Sequence, residues 1–107
     1  MKLKITLMAI LLGATSAQAE FKDGNKLLSQ MQGTTMEQMI AMGYVTGVAD
    51  ALHGVVACPP ANVTAGQLND MVLKYLENFP QNRSFSGDVI VQRVLVTVWP
   101  CKKGSSL

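Results

Sequence analysis

The residues of this sequence that could do chemistry are few, and the two cysteines are the first of them. Cys58 and Cys101 lie 43 residues apart in a chain with one histidine. Such a pair could bind a metal or supply a nucleophile, but metal sites need several ligands at short spacings. In an exported chain an even number of cysteines indicates a disulfide, so we predict that these two are joined. Closing this loop would stabilise the fold by roughly 4 kcal/mol.

His53 is the second candidate for chemistry, because Asp50 lies one helical turn before it and could orient its imidazole as a general base. No serine lies in a strand–turn–helix elbow, and both cysteines are assigned to the disulfide, so the nucleophile is missing. Nothing completes a catalytic constellation, and the pair is more simply a solvated helix face. We therefore predict no catalytic residues, no metal site and no cofactor, which means that the protein is not an enzyme.

The first nineteen residues have the features of a cleavable export signal. Lys2 and Lys4 form a basic start, and the apolar run over residues 5–12 is shorter than the ~20 residues of a membrane-spanning helix. Residues 17–19 read Ala-Gln-Ala, the small-residue pattern that a signal peptidase cleaves. We predict cleavage after Ala19, a periplasmic location and no membrane attachment afterwards. An N-terminal membrane anchor or a buried helix is the alternative.

The remaining chain, residues 20–107, is long enough for one small domain. Two of the nine basic residues would leave with the signal, so seven basic residues would face seven acidic ones. Phosphate binding requires a basic surface, so this balance argues against nucleic acid as a partner. The polar tail over residues 103–107 is expected to be mobile.

Two capping boxes, each a threonine followed one turn later by Glu or Gln, predict where two helices begin. The first helix should run from about Thr35 to His53, and the second should end at about Asn78. A shorter helix is expected within residues 21–32, where Leu27, Leu28 and Met31 recur at helical spacing. The capping pairs are Thr34 with Glu37 and Thr64 with Gln67.

The first capped helix carries two sets of residues that could pack. Small residues repeat at four-residue spacing, and each glycine among them costs a helix about 1 kcal/mol relative to alanine unless a closely approaching helix offsets it. We interpret this stripe as packing inside the domain, with a dimer seam as the alternative. The large set, expected to face the core, is Met36, Met39, Ile40, Tyr44, Val48 and Leu52, and the small set is Gly43, Gly47 and Ala51.

Residues 89–99 do not decide between helix and strand. Their β-branched side chains favour a strand by propensity, but the apolar positions neither alternate nor form a narrow helical stripe. From the residues alone the chain is a small exported domain, largely helical, with no visible active site. A binding protein is the default interpretation.

A set of motifs in one order resembles the Rap/Tai family of type VI secretion amidase immunity proteins. Residues 42–51 are similar to the Gly-Tyr helix of that family, with Gly43, Tyr44, Gly47 and Asp50 as the motif that packs this helix. The similarity continues along the chain through Cys58-Pro59, Val63-Thr64, Gln67, Lys74-Tyr75-Leu76, Pro80-x-x-Arg83 and Trp99-Pro100-Cys101. Many family members carry two further cysteines, where this chain has Met31 and Ala41, which marks it as divergent.

The resemblance implies an all-α fold, a small single-domain bundle of about four helices with one disulfide, in which residues 89–99 are helical. It implies that residues 20–107 form a periplasmic immunity domain, often homodimeric, that binds and inhibits a cell-wall amidase toxin. We place toxin binding on the loop that Pro80 rigidifies, at Asn78, Gln81, Asn82 and Arg83. A small periplasmic chaperone of the acid-stress HdeA type is the alternative function.

Overall fold

The fold in the computed structural model, which describes residues 21–102, is a bundle of four α-helices. Within that range the β-structure is limited to isolated bridges. None of the described helices combines the length and the hydrophobicity that crossing a membrane requires. The predicted all-α bundle is confirmed, while the predicted signal peptide and mobile tail lie outside the described residues. The helices are α1 (Gly24–Met31), α2 (Thr35–Leu52), α3 (Ala65–Asn78) and α4 (Gly87–Val98), with a 3-10 turn at Pro80–Asn82.

Both predicted capping boxes are present. The backbone N–H of Glu37 donates to the Thr34 hydroxyl at 3.2 Å, and the Glu37 carboxylate accepts from the Thr34 backbone N–H at 2.9 Å. Thr64 and Gln67 repeat the arrangement at 3.1 Å and 2.8 Å. The hydrogen bond from the Thr34 backbone, followed by that from its hydroxyl, holds the pKa of Glu37 below its ordinary value. The α2 cap is therefore complete at neutral pH and weakens as Glu37 becomes protonated in acid.

α4 is a helix although its sequence is rich in β-branched residues. Its side chains at positions 90, 91, 94 and 95 are buried, which is the spacing of one helical face. Burial of that face against the other three helices outweighs the weak intrinsic preference of valine for a strand. The helix implied by the family resemblance is thus confirmed, and the ambiguity at residues 89–99 is resolved.

α2 buries a different face from the one its large apolar residues predicted. Met36, Met39 and Ile40 are exposed to 68%, 67% and 48%. The buried positions are instead Ala41, Val45 and Ala49, which repeat every four residues and let α2 lie close against its neighbours. The core therefore uses the smaller side chains of α2, and the prediction for its first large residues is wrong. Tyr44, Val48 and Leu52 are partly buried at the edge of the core.

The start of the described chain is held by the segment that precedes α4. The backbone N–H of Gly24 donates to the carbonyl of Phe85 at 2.9 Å, and that of Gly87 donates to the carbonyl of Lys22 at 2.8 Å. A Cβ built on Gly24 would lie 2.5 Å from Ile90 Cδ1 and 2.7 Å from the carbonyl oxygen of Arg83. Only glycine lets the two segments approach this closely.

The disulfide between Cys58 and Cys101 is present, as predicted, with an S–S distance of 2.03 Å and a Cα–Cα distance of 4.9 Å. It joins the segment that follows α2 to the segment that follows α4. The backbone N–H of Cys58 also donates to the carbonyl of Trp99 at 2.8 Å, so the two segments are tied by the backbone as well.

Candidate functional site

Among the described residues, none joins His53 and Asp50 to complete a metal site. His53 is the exposed C-cap residue that follows α2, and Asp50 is exposed on the last turn of that helix. In the part of the chain that the structure describes, no group of three or more His, Cys, Asp or Glu residues could hold a metal ion. Two surfaces of the described chain are candidates for contact with a partner.

The first surface is the turn between α3 and α4, where toxin binding was predicted. Asn78 and Gln81 are exposed, so their side chains are available to a partner. Asn82 instead donates from Nδ2 to the Tyr75 hydroxyl at 3.0 Å, and Arg83 donates from Nε to the carbonyl of Leu76 at 2.7 Å. The four predicted residues thus fall into two that face solvent and two that hold the turn in shape.

Phe79 is a residue of this turn that the sequence reasoning did not select. Its side chain is 42% exposed, and its ring centroid lies 5.0 Å from that of Tyr75. The sequence could have indicated Phe79 as a contact residue, because it is an aromatic residue directly before proline in a polar connector. Aromatic side chains supply much of the contact energy of protein interfaces.

The second surface is the outer face of α2, which we call the exposed α2 face. Among the described residues outside α2, no atom lies within 4 Å of a Cβ built on Gly43 or Gly47. The predicted packing of this stripe against another helix of the same chain is therefore wrong. Gly43 lies two residues, about 200° around the helix, from both Ala41 and Val45, so it faces away from the core. The exposed α2 face consists of Met36, Met39, Ile40, Gly43, Gly47 and Ala51.

Of the predicted packing motif, Tyr44 is the member that packs within the chain. A Cβ on Gly87 would lie 2.8 Å from the Tyr44 hydroxyl oxygen, and the Lys22 ammonium lies 4.7 Å from the Tyr44 ring centroid. Burial, aided by the negative charge of Asp88, raises the pKa of Tyr44. Tyr44 therefore joins α2 to the start of α4, while Asp50 remains exposed to solvent.

Comparison with known proteins identifies one family. The family model described as Rap1a immunity proteins matches residues 23–101 of this chain. The match begins at Asp23, the residue that caps α1, and ends at Cys101 of the disulfide, so it covers all four helices. No curated protein sequence matches the chain.

Proposed function

We propose that this chain, which belongs to the Rap1a immunity protein family, protects its cell by inhibiting a type VI secretion peptidoglycan amidase in the periplasm. The observation that carries the proposal is the family match over residues 23–101, which takes in the whole helical bundle. Family membership makes a secreted protein effector the partner. The amidase, the compartment and the inhibition are the proposed parts.

Export to the periplasm is supported by the sequence of the first nineteen residues and by the disulfide. Disulfides form and persist in oxidising compartments such as the periplasm. We expect the intact mass of the protein from a periplasmic fraction to correspond to a chain that begins at Glu20. A mass that still includes Met1 would contradict export by a cleaved signal.

The turn between α3 and α4 has the properties that an inhibitory element needs. Pro80 restricts its backbone, and the internal hydrogen bonds of Asn82 and Arg83 hold its shape before a partner arrives. Ordering that is already present in the free protein lowers the entropic cost of binding. We therefore assign effector contact to the exposed Asn78 and Gln81, and a positioning role to Asn82 and Arg83.

The alternative function, an acid-activated chaperone, has less support from the molecule. Such a chaperone would unfold in acid when carboxylates that are buried or paired in the native state become protonated. Among the described residues, none of those buried in the core is polar or charged.

The function is tested by producing the amidase encoded beside this gene in the periplasm, with and without this protein, and following cell lysis. We expect the wild type to prevent lysis and the double variant Asn78→Ala/Gln81→Ala to lose most of that protection while remaining folded. The matched control is Gln32→Ala/Asn62→Ala, which removes the same side-chain types from exposed positions elsewhere and should protect fully. Lysis despite the wild-type protein would contradict the proposed function.

We also propose that two copies associate through the exposed α2 face. Gly43 and Gly47 leave room for a second helix to approach, and shallow clefts lie on either side of them. Large exposed apolar side chains at the start of the same face would add buried area to such a contact.

Gly47→Leu tests the association of two copies. We expect the variant to be a monomer by light scattering where the wild type is a dimer, because leucine fills the space that the second helix needs. The monomer should keep its stability, since no described residue outside α2 lies within 4 Å of the Cβ at this position. Gly66→Leu, another exposed helical glycine, is the control and should leave the dimer intact. An unchanged mass for Gly47→Leu would exclude this face as the seam.

A further inference from the structure

A groove between α3 and α4 is separate from the exposed α2 face, and its floor is apolar. It has a volume of about 490 Å³ and is lined by Met71, Tyr75 and Phe79 on one side and Val94 and Val98 on the other. Val98 is 49% exposed and Phe79 is 42% exposed, whereas Val94 is buried at the bottom. We call this site the α3–α4 groove.

Two cationic residues line the α3–α4 groove from its two helices, Lys74 from α3 and Arg93 from α4. Within residues 21–102 neither forms an ion pair. The Arg93 guanidinium carbon lies 4.7 Å from the ring centroid of Phe85, and this contact restricts the motion of the Arg93 side chain. The acids Asp70 and Glu77 line a neighbouring cleft, which Lys74 also lines, and they do not line the groove.

This combination determines the chemistry of a ligand. A ligand that covers the exposed valine and phenylalanine side chains of the groove is favoured by roughly 25 cal/mol for each Å² of apolar surface removed from water. The two cations attract a negative group at the rim, where complementary charge mainly raises the rate of association. A ligand that suits both is an apolar group with a carboxylate beside it.

The α3–α4 groove also adjoins the turn to which we assign effector contact. Phe79 belongs to both, because it caps the C-terminal end of α3 directly before Pro80 and also lines the groove. A partner that touches Asn78 and Gln81 would therefore cover the mouth of the groove as well.

We infer that the α3–α4 groove binds an apolar side chain adjacent to an acidic residue on the surface of the effector. This inference rests on the proposed function, and it adds a second contact, of stated chemistry, beside the turn. The turn supplies rigid polar contacts, and the groove supplies an apolar pocket between two positive charges.

The first test measures binding of the neighbouring amidase to purified protein. Val98→Asp places a charge at the apolar edge, and we expect it to weaken affinity by about tenfold or more. Arg93→Glu should slow association and reduce its dependence on salt. Lys26→Glu makes the same change of charge at an exposed site on α1 and should bind as the wild type does.

The outcomes separate the two proposals. If the wild type binds and Val98→Asp and Arg93→Glu bind equally well, the groove assignment is overturned while the immunity function stands. If the folded wild type does not bind the amidase, both proposals fail. If Val98→Asp changes the oligomeric mass and leaves effector affinity unchanged, the groove belongs to a second copy of this chain, and the inference is overturned.

The second test needs no effector. The dye 1-anilinonaphthalene-8-sulfonate combines aromatic rings with a negative charge, so it is a probe of the groove chemistry. We expect its fluorescence to rise with the wild-type protein, to fall with Val98→Asp and Arg93→Glu, and to be unaffected by Lys26→Glu. No rise with the wild type, or an equal rise with all variants, would overturn the proposed chemistry. Variants that lose the dye but keep full effector affinity would assign the groove to small anionic amphiphiles instead.

Discussion

Cys101→Ala lowers the free energy of unfolding by about 2–5 kcal/mol, the usual loss when a small exported domain is deprived of its disulfide. The bond closes a long loop, so its removal enlarges the conformational freedom of the unfolded chain. Domains are stabilised by only about 5–15 kcal/mol, and the shortest ones have the least apolar core to rely on. We therefore expect a drop in Tm of about 10 °C or more.

The measurement is thermal unfolding followed by circular dichroism, with and without reductant. The control is the double variant Cys58→Ala/Cys101→Ala, which leaves no free thiol and should lose about the same stability as the single variant. The reduced wild-type protein should have the same unfolding midpoint as either variant. An unfolding midpoint that does not change on removing the bond would show that the backbone contacts between Cys58 and Trp99 are sufficient on their own.

Gly24→Ala is expected to destabilise the protein by about 1–3 kcal/mol, as overpacking a close contact does. The added methyl group would lie within 2.9 Å of both the carbonyl oxygen and the Cα of Arg83. Backbone atoms cannot move aside as the end of a flexible side chain can. The change should therefore separate the start of α1 from the segment before α4 and weaken the hydrogen bonds between them.

Gly43→Ala is the matched control for Gly24→Ala. It adds the same methyl group to a helix at a position where no described residue outside α2 comes within 4 Å of the new Cβ, so the monomer should gain up to about 1 kcal/mol from the better helix propensity of alanine. Urea unfolding of both variants at a concentration where the protein is monomeric gives the comparison. Equal stabilities for the two variants would contradict the close approach at Gly24.

Much of the fold could be predicted because its signals are local. A capping box is complete within four residues, so Thr34 and Thr64 indicated the starts of α2 and α3 without any knowledge of the rest of the chain. With two cysteines in the whole sequence, only one intramolecular pairing exists, and the predicted export signal was enough to favour a disulfide over a metal site or a reactive thiol. The family resemblance, which draws on the entire motif order, was needed for α4.

The candidate site was only partly predictable, because the roles of its residues depend on distant partners. The sequence placed Arg83 in a polar loop, where a free cation suits binding. The structure turns its Nε to the carbonyl of Leu76, and its own carbonyl accepts from the backbone of Asn25. Lys74 and Arg93 likewise come to line the same α3–α4 groove only when the two helices pack side by side.

The sequence by itself determined where the two capped helices begin and which two cysteines could pair. The hydrogen bonds of a capping box lie within one turn, and two cysteines allow a single pairing. Only the tertiary structure decided which face of α2 is buried. That helix has apolar residues on opposite sides, about 200° apart, and periodicity cannot choose between two apolar faces. The other helices made the choice, because Ala41, Val45 and Ala49 allow close packing in the core and the bulkier Met36 and Met39 remain at the surface.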